Sequence, residues 1–573
     1  MTSNYRKLWT RRRSDFAAIA AIAAFFVLFF WPLLFGDNYF VTSDAFFYSY
    51  PLRTTAWNAL HQRSLPLWTP LLLSGYPLIS MGQIALGYPL TWGYAFMPGY
   101  KAEVIYVLAP FLLAPTFTYF YAREIGRSRL ASLLAGLAFG YGGMMAGMLS
   151  NSGYTTNSVM WLPLILVGIE RTRTYPFAHC VIWTTGAYTM SVLNGHGQTF
   201  MYVGLIALAY AVFVAFALMP SAERRRGLRE LLTLQRLKPL AVTVTAILVA
   251  AGIAAPQILE TLRATQFSIR RSLSYEVFVE GSFHLTAMLK SAVLPLHYDL
   301  EVTTYLSPLA ICLAVFAVAS VRHSARDPRV FFWAALALLA WLLMLGGNNP
   351  LYRLIYHVPL FNRFRVPARH SFEWTFAAGI LAAYGWDAIS DWINQRTSNT
   401  IGMARRWPRW LGLGALVLAL LVGCFWWRAV YSSSEPMFYA RTGYPAARYL
   451  LWKAGFLLTL FTGAWLSWHV VSHRWRTVLL TTAIVLACFP EPYMLISRWW
   501  FTAAKPESRF AVVSPSTRFL QQYPPDQNRV YSRVNLFVEE NSLHPSVDPL
   551  NLTAIHGLQN VGGYEPLILE RYS

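Results

Sequence analysis

The chain has 573 residues, 56% of them hydrophobic and only 13% charged, and a mean hydropathy of +0.39. A water-soluble domain rarely reaches those values, so a multi-pass, all-α membrane bundle is expected. Lys and Arg number 47 against 26 Asp and Glu, a net +21, but they are scattered between apolar runs. That pattern fits loop charge orienting helices in a lipid bilayer and argues against nucleic acid as a partner.

The N-terminal "YRKLWTRRRSDFAAIAAIAAFFVLFFWPLLF" carries an apolar run, 16–35, long enough to span a bilayer at about 1.5 Å per residue. No small-residue cleavage site follows, so it reads as an uncleaved first helix with Arg6, Lys7 and Arg11 to Arg13 held in the cytoplasm. Further apolar runs recur at about 103–122, 130–149, 154–169, 177–194, 199–219, 240–257, 304–321, 330–346, 371–387, 410–427, 449–469 and 477–497, about thirteen spans in all. Alternate loops carry "REIGRSR", "RTR", "AERRRGLRELLTLQRLK", "RHSARDPR", "NQRTSNTIGMARRWPR" and "SHRWR". All six fall on the cytoplasmic side if the N-terminus does, which leaves the C-terminus outside. Cys180, Cys312, Cys424 and Cys488 lie within apolar runs without paired spacing and read as small buried hydrophobes.

The loop 36–102 is then the first outer segment. It opens with "GDNYFVTSDAFFYSYPLRTTAWNALHQRSLPLW", where Asp37 and Asp44 are the only carboxylates. "AFFYSYPLRTTAWNALHQRSL" has aromatics and leucines near helical spacing and suggests a short interfacial helix. "PLWTPLLLSGYPL" and "GYPLTWGYAFMPGY" predict irregular backbone at headgroup depth. Asp37 in "GDN" reads most simply as a turn residue. Asp44 has two readings. It is either the N-cap of the helix that follows or a partly desolvated carboxylate suited to take a proton from an acceptor hydroxyl.

The short outer break "LNGHGQTFMY", 193–202, flanks His196 with two glycines and follows it with Gln198. Both side chains can thus reach a cavity, although a His at a helix break also serves as a capping or packing residue. Outer segments 258–303 and 347–370 carry Arg270, Arg271, Lys290, Arg353, Arg363, Arg365 and Arg369, against the orientation trend. Such residues suit an anionic ligand such as phosphate, or lipid headgroups reached by snorkelling. Pro367 marks a first helical turn, which puts Arg369 near free N–H groups. The tail from about 498 alternates turn signals such as Pro524-Pro525 and Gly562-Gly563 with short mixed runs, suggesting a small outer segment. The domain reading is therefore 1–497 for the membrane part and 498–573 outside.

Motifs for nucleotide hydrolysis and redox cofactors are missing from the sequence: it has no HExxH, CxxC pair, Walker loop or GxGxxG after a strand. No cofactor is expected. His196, His284 and His297 are the candidates for a divalent metal, but their spacing gives it no specific support.

The order "SDAFFYSYP", "LPLWTPLLLSGYPL", "GYPL", "NGHGQTFMY", "FNRFRVPARHSFEW" and "GLQNVGGYEPLILERY" resembles the bacterial YfhO-like membrane proteins over nearly the whole chain. These in turn resemble type C (GT-C) glycosyltransferases, which move a sugar from a polyprenyl-phosphate donor on the outer face of the membrane. The resemblance implies a GT-C-like bundle in the bacterial cytoplasmic membrane that passes a sugar to an envelope glycan, lipid or protein acceptor. It implies Asp44 as the base, Arg365 and Arg369 as ligands of the lipid phosphate, and His196 and Gln198 as substrate-binding residues. Many type C enzymes pair their first acid closely with another, whereas Asp37 and Asp44 stand apart here. The chain also stops at "ERYS", where related proteins continue, which suggests a fragment or a trimmed outer domain. Two other readings use the same residues. A lipid or glycolipid flippase should carry charges near the bilayer midplane, whereas Glu170 and Asp387 lie at helix ends and Glu373 in a first turn. A non-catalytic scaffold would use the outer tail to recruit envelope partners.

Overall fold

The computed structural model describes residues 2–39, 41, 44–151, 153–218, 233–293, 303–320, 327–398, 505–531 and 551–563, with single positions at 482, 488, 492, 493, 567 and 568. These residues are overwhelmingly helical. The one sheet described is the two-residue antiparallel pairing of Asn38–Tyr39 with Lys505–Pro506.

Among the described residues, four helices are long and apolar enough to cross a membrane: Gly99–Glu124, Arg129–Gly147, Gly197–Phe216 and Gln235–Ile253. Asp15–Phe29, Pro308–Ala319 and Arg329–Met344 are apolar but shorter. Several expected spans depart from a single full-length helix for local reasons. The run 154–169 is interrupted between Tyr154–Val159 and Leu162–Arg171, with Pro163 in the first turn of the second piece. The run 371–387 belongs to a longer helix, Ser371–Ser398, that carries Glu373, Asp387 and Asp391. The runs 410–427, 449–469 and 477–497, and Cys424, lie outside the described residues or are described only at isolated positions.

Packing is tight where small residues meet proline. The Arg129–Gly140 helix starts from a Ser128 cap, whose hydroxyl accepts from the Ala131 N–H at 3.3 Å. It lies so close to Gly99–Glu124 that a Cβ on Gly136 would stand 2.6 Å from the Pro115 carbonyl oxygen. Close approach through glycine is how apolar helices gain dispersion contacts when lipid supplies no hydrophobic drive. An aromatic cluster of Phe25, Phe29, Phe30, Phe111 and Tyr141 fastens the first helix to this pair, with ring centroids 4.4 to 5.8 Å apart.

The described part of the segment 36–98 is mostly folded backbone. Ala45–Ser49 forms a π-helical turn that runs into the α-helix Tyr50–His61. Short 3₁₀ turns at Leu78–Ser80, Gly82–Ile84 and Pro89–Ala95 follow, as the Pro- and Gly-rich composition predicts. What holds the loop down is a fully buried ion pair. Both Nη1 contacts of Arg53 to Glu103 are short, 2.9 and 2.7 Å, and both side chains are 0% exposed. The remaining polar capacity is satisfied: Arg53 donates to the carbonyls of Gln83 and Ile84, Tyr94 donates to Glu103, and the guanidinium lies 3.9 Å from the Tyr106 ring centroid. Such complete satisfaction is what makes a buried pair tolerable, because removing one partner strands the other charge.

The tail returns to this loop. Phe510 stacks on Tyr100 at 4.8 Å, Glu507 accepts from the Tyr100 hydroxyl, and the Leu71 carbonyl accepts from the Asn560 N–H at 3.0 Å. The Tyr76 hydroxyl reaches the Leu567 carbonyl at 3.0 Å.

Candidate functional site

Asp44 stands at the start of the π-helical turn with helical backbone angles, φ −57° and ψ −29°, and its side chain makes no capping hydrogen bond. A capping Asp adopts extended angles and accepts from a first-turn N–H, so the capping reading does not describe this carboxylate. Its Oδ2 lies 3.5 Å from the Tyr154 hydroxyl, the long limit of a hydrogen bond.

Tyr154 connects Asp44 to the glycine-flanked break. Its ring centroid is 4.8 Å from that of His196. The backbone there is fixed from behind by Asn194, whose carboxamide donates to the Tyr154 carbonyl and to Ser158 Oγ and accepts from the Tyr106 hydroxyl. Gly195 takes φ +79°, and the break is pressed against Gly82 of the segment 36–98, where a Cβ would stand 2.7 Å from the Gly195 carbonyl oxygen. The two glycines bring the loop that carries Asp44 and the break that carries His196 into backbone contact.

His196 precedes the helix Gly197–Phe216, is 5% exposed, and shares a hydrogen bond between Nδ1 and Thr199 Oγ1. Burial first, then the positive charges of Arg369 and Arg270, hold its pKa well below the ordinary value of 6.5. It is therefore a neutral imidazole at pH 7.

Gln198 clamps the arginine segment onto this helix. Its Oε1 accepts from Arg369 Nη1 at 2.8 Å and its Nε2 donates to the Arg365 carbonyl, also at 2.8 Å. The segment itself is strained: Leu360 and Val366 have φ of +75° and +64°. A β-branched residue in the left-handed region is a true outlier, and here Val366 is held by its N–H to the Glu280 carbonyl at 3.1 Å. Strain of this kind persists where the surroundings over-determine the backbone.

Tyr154 thus links Asp44 to His196, and Arg369, held by Gln198, acts on His196 through its charge. The side chain of Arg365 turns away from Gln198 to pair with Glu280 at 2.9 Å, both half-exposed or more. Arg270 is partly buried, Arg353 and Arg271 are exposed, and Asp37 is exposed in the turn before Asn38. Among the described residues no three His, Cys, Asp or Glu side chains are grouped to hold a metal ion. His284 is exposed, and His297 lies outside the described residues. Tyr154, Asn194 and the Arg53–Glu103 pair carry no sequence signal of their own. Each sits in an apolar or aromatic run where only contact across 40 to 88 residues gives it a role.

The sequence matches no protein-family profile and no curated protein. Three solved structures are similar to parts or most of the chain. The crystal structure of ArnT from Cupriavidus metallidurans bound to undecaprenyl phosphate aligns at 14% identity and a TM-score of 0.42, over 95% of this chain and 89% of that one. The Archaeoglobus fulgidus oligosaccharyltransferase in its apo form aligns at 11% identity and 0.47, over 98% and 66%. The arabinofuranosyltransferase AftD from Mycobacteria aligns at 14% and 0.37, over 65% of this chain and 26% of that one. None of the three reaches a TM-score of 0.5, too distant a likeness to assign an activity.

Proposed function

We propose that this chain is a YfhO-like, GT-C-type membrane glycosyltransferase that moves a sugar from a polyprenyl-phosphate donor to an acceptor hydroxyl of the bacterial envelope. One observation carries the reading: Asp44 is not used as a helix cap, and it meets Tyr154, whose ring packs on His196, which in turn lies in the field of the cationic Arg369. A carboxylate and an arginine in one partly buried neighbourhood supply the two functions a displacement at an anomeric carbon needs.

In the proposed reaction the acceptor oxygen bonds to the anomeric carbon while Asp44 takes its proton. The anomeric C–O bond to phosphate breaks, and its electron pair leaves with the lipid phosphate. Arg369, held by Gln198, offsets the charge that develops there. His196, neutral and buried, serves as a hydrogen-bonding wall for the sugar. Arg365 sits at the rim, where it exchanges Glu280 for phosphate when a donor enters.

Asp44→Asn tests the proposal. The amide keeps the shape of the acid but cannot take the proton. Wild type and variant are reconstituted with radiolabelled polyprenyl-phosphate sugars and envelope acceptors. Transfer is expected to fall by about 10²–10⁴-fold, with lipid-donor binding and the melting temperature unchanged. A folded variant that transfers at the wild-type rate removes Asp44 from the chemistry.

A further inference from the structure

One residue beyond Arg369, a second titratable group is built into the start of the helix Ser371–Ser398. His370 Nδ1 and Glu373 Oε1 are 2.9 Å apart, and the two residues are 4% and 5% exposed. Glu373 Oε2 is buried with no hydrogen-bond partner among the described residues. The imidazole ring is fixed from its face as well: Tyr202 stacks on it with centroids 4.4 Å apart and planes 20° from parallel. The Tyr202 hydroxyl lies 3.4 Å from Gln198 Nε2, and Gln198 Oε1 accepts from Arg369. His370 is therefore tied to the arginine twice, through the backbone of the turn Pro367–His370 and through the Tyr202–Gln198 contact.

The groups facing the pair are few. From Gly197–Phe216 comes Tyr202, from Leu351–Tyr356 comes Tyr352, which hydrogen-bonds Tyr202 and lies in the field of Glu373, and from the pair's own turn comes Arg369. Tyr202 and Tyr352 are neutral phenols at pH 7, and the charge of Arg369 acts on Tyr202. A carboxylate in that setting is costly to bury with one oxygen unpaired. A proton held in the Nδ1–Oε1 contact relieves the cost and leaves Nε2–H as the imidazole donor not engaged by the carboxyl group.

We propose that His370, oriented by Glu373 and Tyr202, is a second ligand of the phosphate held by Arg369, and that it selects the phosphate monoester over the diester. This rests on the glycosyltransferase reading and deepens it. The donor is a phosphodiester with one negative charge. When the anomeric C–O bond breaks, its electron pair converts the lipid phosphate to a monoester, whose second ionisation lies near pH 6 to 7. His370 Nε2–H donates a hydrogen bond to that new oxygen anion, and Arg369 balances the first charge. The acceptor's proton is on Asp44, so no proton need cross between the two.

The test compares binding of a polyprenyl phosphate and of its methyl phosphodiester to the full chain in nanodiscs at pH 7. Inorganic phosphate serves as competitor to separate a lipid-borne group from free anion. Wild type should prefer the monoester, and inorganic phosphate should compete weakly because it lacks the isoprenoid. Glu373→Gln should weaken monoester binding by about tenfold, the size of one charge-assisted hydrogen bond, and leave diester binding unchanged. His370→Asn should do the same, and His370→Lys should restore part of the preference, which a merely structural role would not. Equal loss for both lipids, or a wild type without preference, overturns the inference. A wild type that shows the preference yet transfers no sugar supports the phosphate site and sinks the glycosyltransferase reading. Free phosphate competing as well as the lipid overturns the lipid assignment.

Discussion

His196 shows how a single residue reports its surroundings through pH. Burial and the neighbouring Arg369 and Arg270 lower its pKa in the folded protein well below the ordinary value of 6.5. The unfolded chain therefore binds a proton in acid that the folded chain does not, so this contribution to stability is complete above pH 6.5 and is lost as pH falls below it. The loss approaches about 1.4 kcal/mol per pH unit down to the folded-state value. Melting temperatures of wild type and His196→Gln in the same detergent, scanned from pH 7.5 to about pH 5, should converge in acid because Gln carries no titrating group. Parallel curves would mean that His196 is not held neutral. The sequence made His196 conspicuous by its flanking glycines, and it made Asp44 conspicuous by the scarcity of acids. It could not show that Gln198 spends both ends of its amide on Arg369 and on the Arg365 carbonyl, 171 and 167 residues away. Nor could it show that Arg365 pairs with Glu280 instead of facing Gln198.

Between the helices Phe177–Leu193 and Gly197–Phe216, the break 194–196 acts as a docking point for the segment 36–98. Gly195 combines φ +79° with a Cβ position that would collide with the Gly82 carbonyl. Both faults fall on backbone, which cannot rotate away as a side chain would. Gly195→Ala should therefore destabilise the protein by about 3 kcal/mol or more and separate Asp44 from His196, abolishing transfer together with stability. Gly186, in the same first helix, has open space within 4 Å of its Cβ position. Gly186→Ala should be neutral or stabilise by up to about 1 kcal/mol. Thermal unfolding of the two variants side by side checks the contrast, and a tolerated Gly195→Ala would show that the loop can undock without harm. At this scale the sequence was informative about type and poor about extent. Glycine and proline marked the irregular backbone of 66–98, and leucine spacing marked Tyr50–His61. The π-helical turn at Ala45–Ser49 and the interruption near Met160 left no signature, because an apolar run looks the same whether or not its hydrogen bonds shift register.

Taken whole, the described helices have two chemically distinct ends. One end gathers an ion-pair lattice. Asp15 pairs with Arg123 and Arg129, Glu124 with Arg171, Asp387 with Arg127, and Arg329 with both Glu170 and Asp327, at 2.7 to 3.5 Å. Apart from Asp387 in Ser371–Ser398 and Glu170 just before "RTR", these residues come from the N-terminal helix and from the loops "REIGRSR", "RTR" and "RHSARDPR", which the charge rule assigns to one side. The other end gathers Asp44, Glu103, His196 and Arg369. Gly99–Glu124 and Ser371–Ser398 each run from the second end to the first, and Arg329–Met344 runs back. From Glu103 to Glu124, and from Ser371 to Asp387, the rise is about 32 Å and about 24 Å at 1.5 Å per residue, close to the ~30 Å hydrocarbon core. A layer of that thickness fits between lattice and site, which makes sidedness the decisive property of the whole molecule. The site works on an outer-face lipid only if the lattice end is cytoplasmic. Gln62, just past Tyr50–His61, and Thr174, just past "RTR", are exposed at opposite ends. In a background with the four cysteines replaced by alanine, Gln62→Cys should react with a membrane-impermeant maleimide in intact cells. Thr174→Cys should react only after permeabilisation. The reverse pattern would put Asp44 and Arg369 in the cytoplasm, where no outer-face donor reaches them, and the proposed reaction would fail with it.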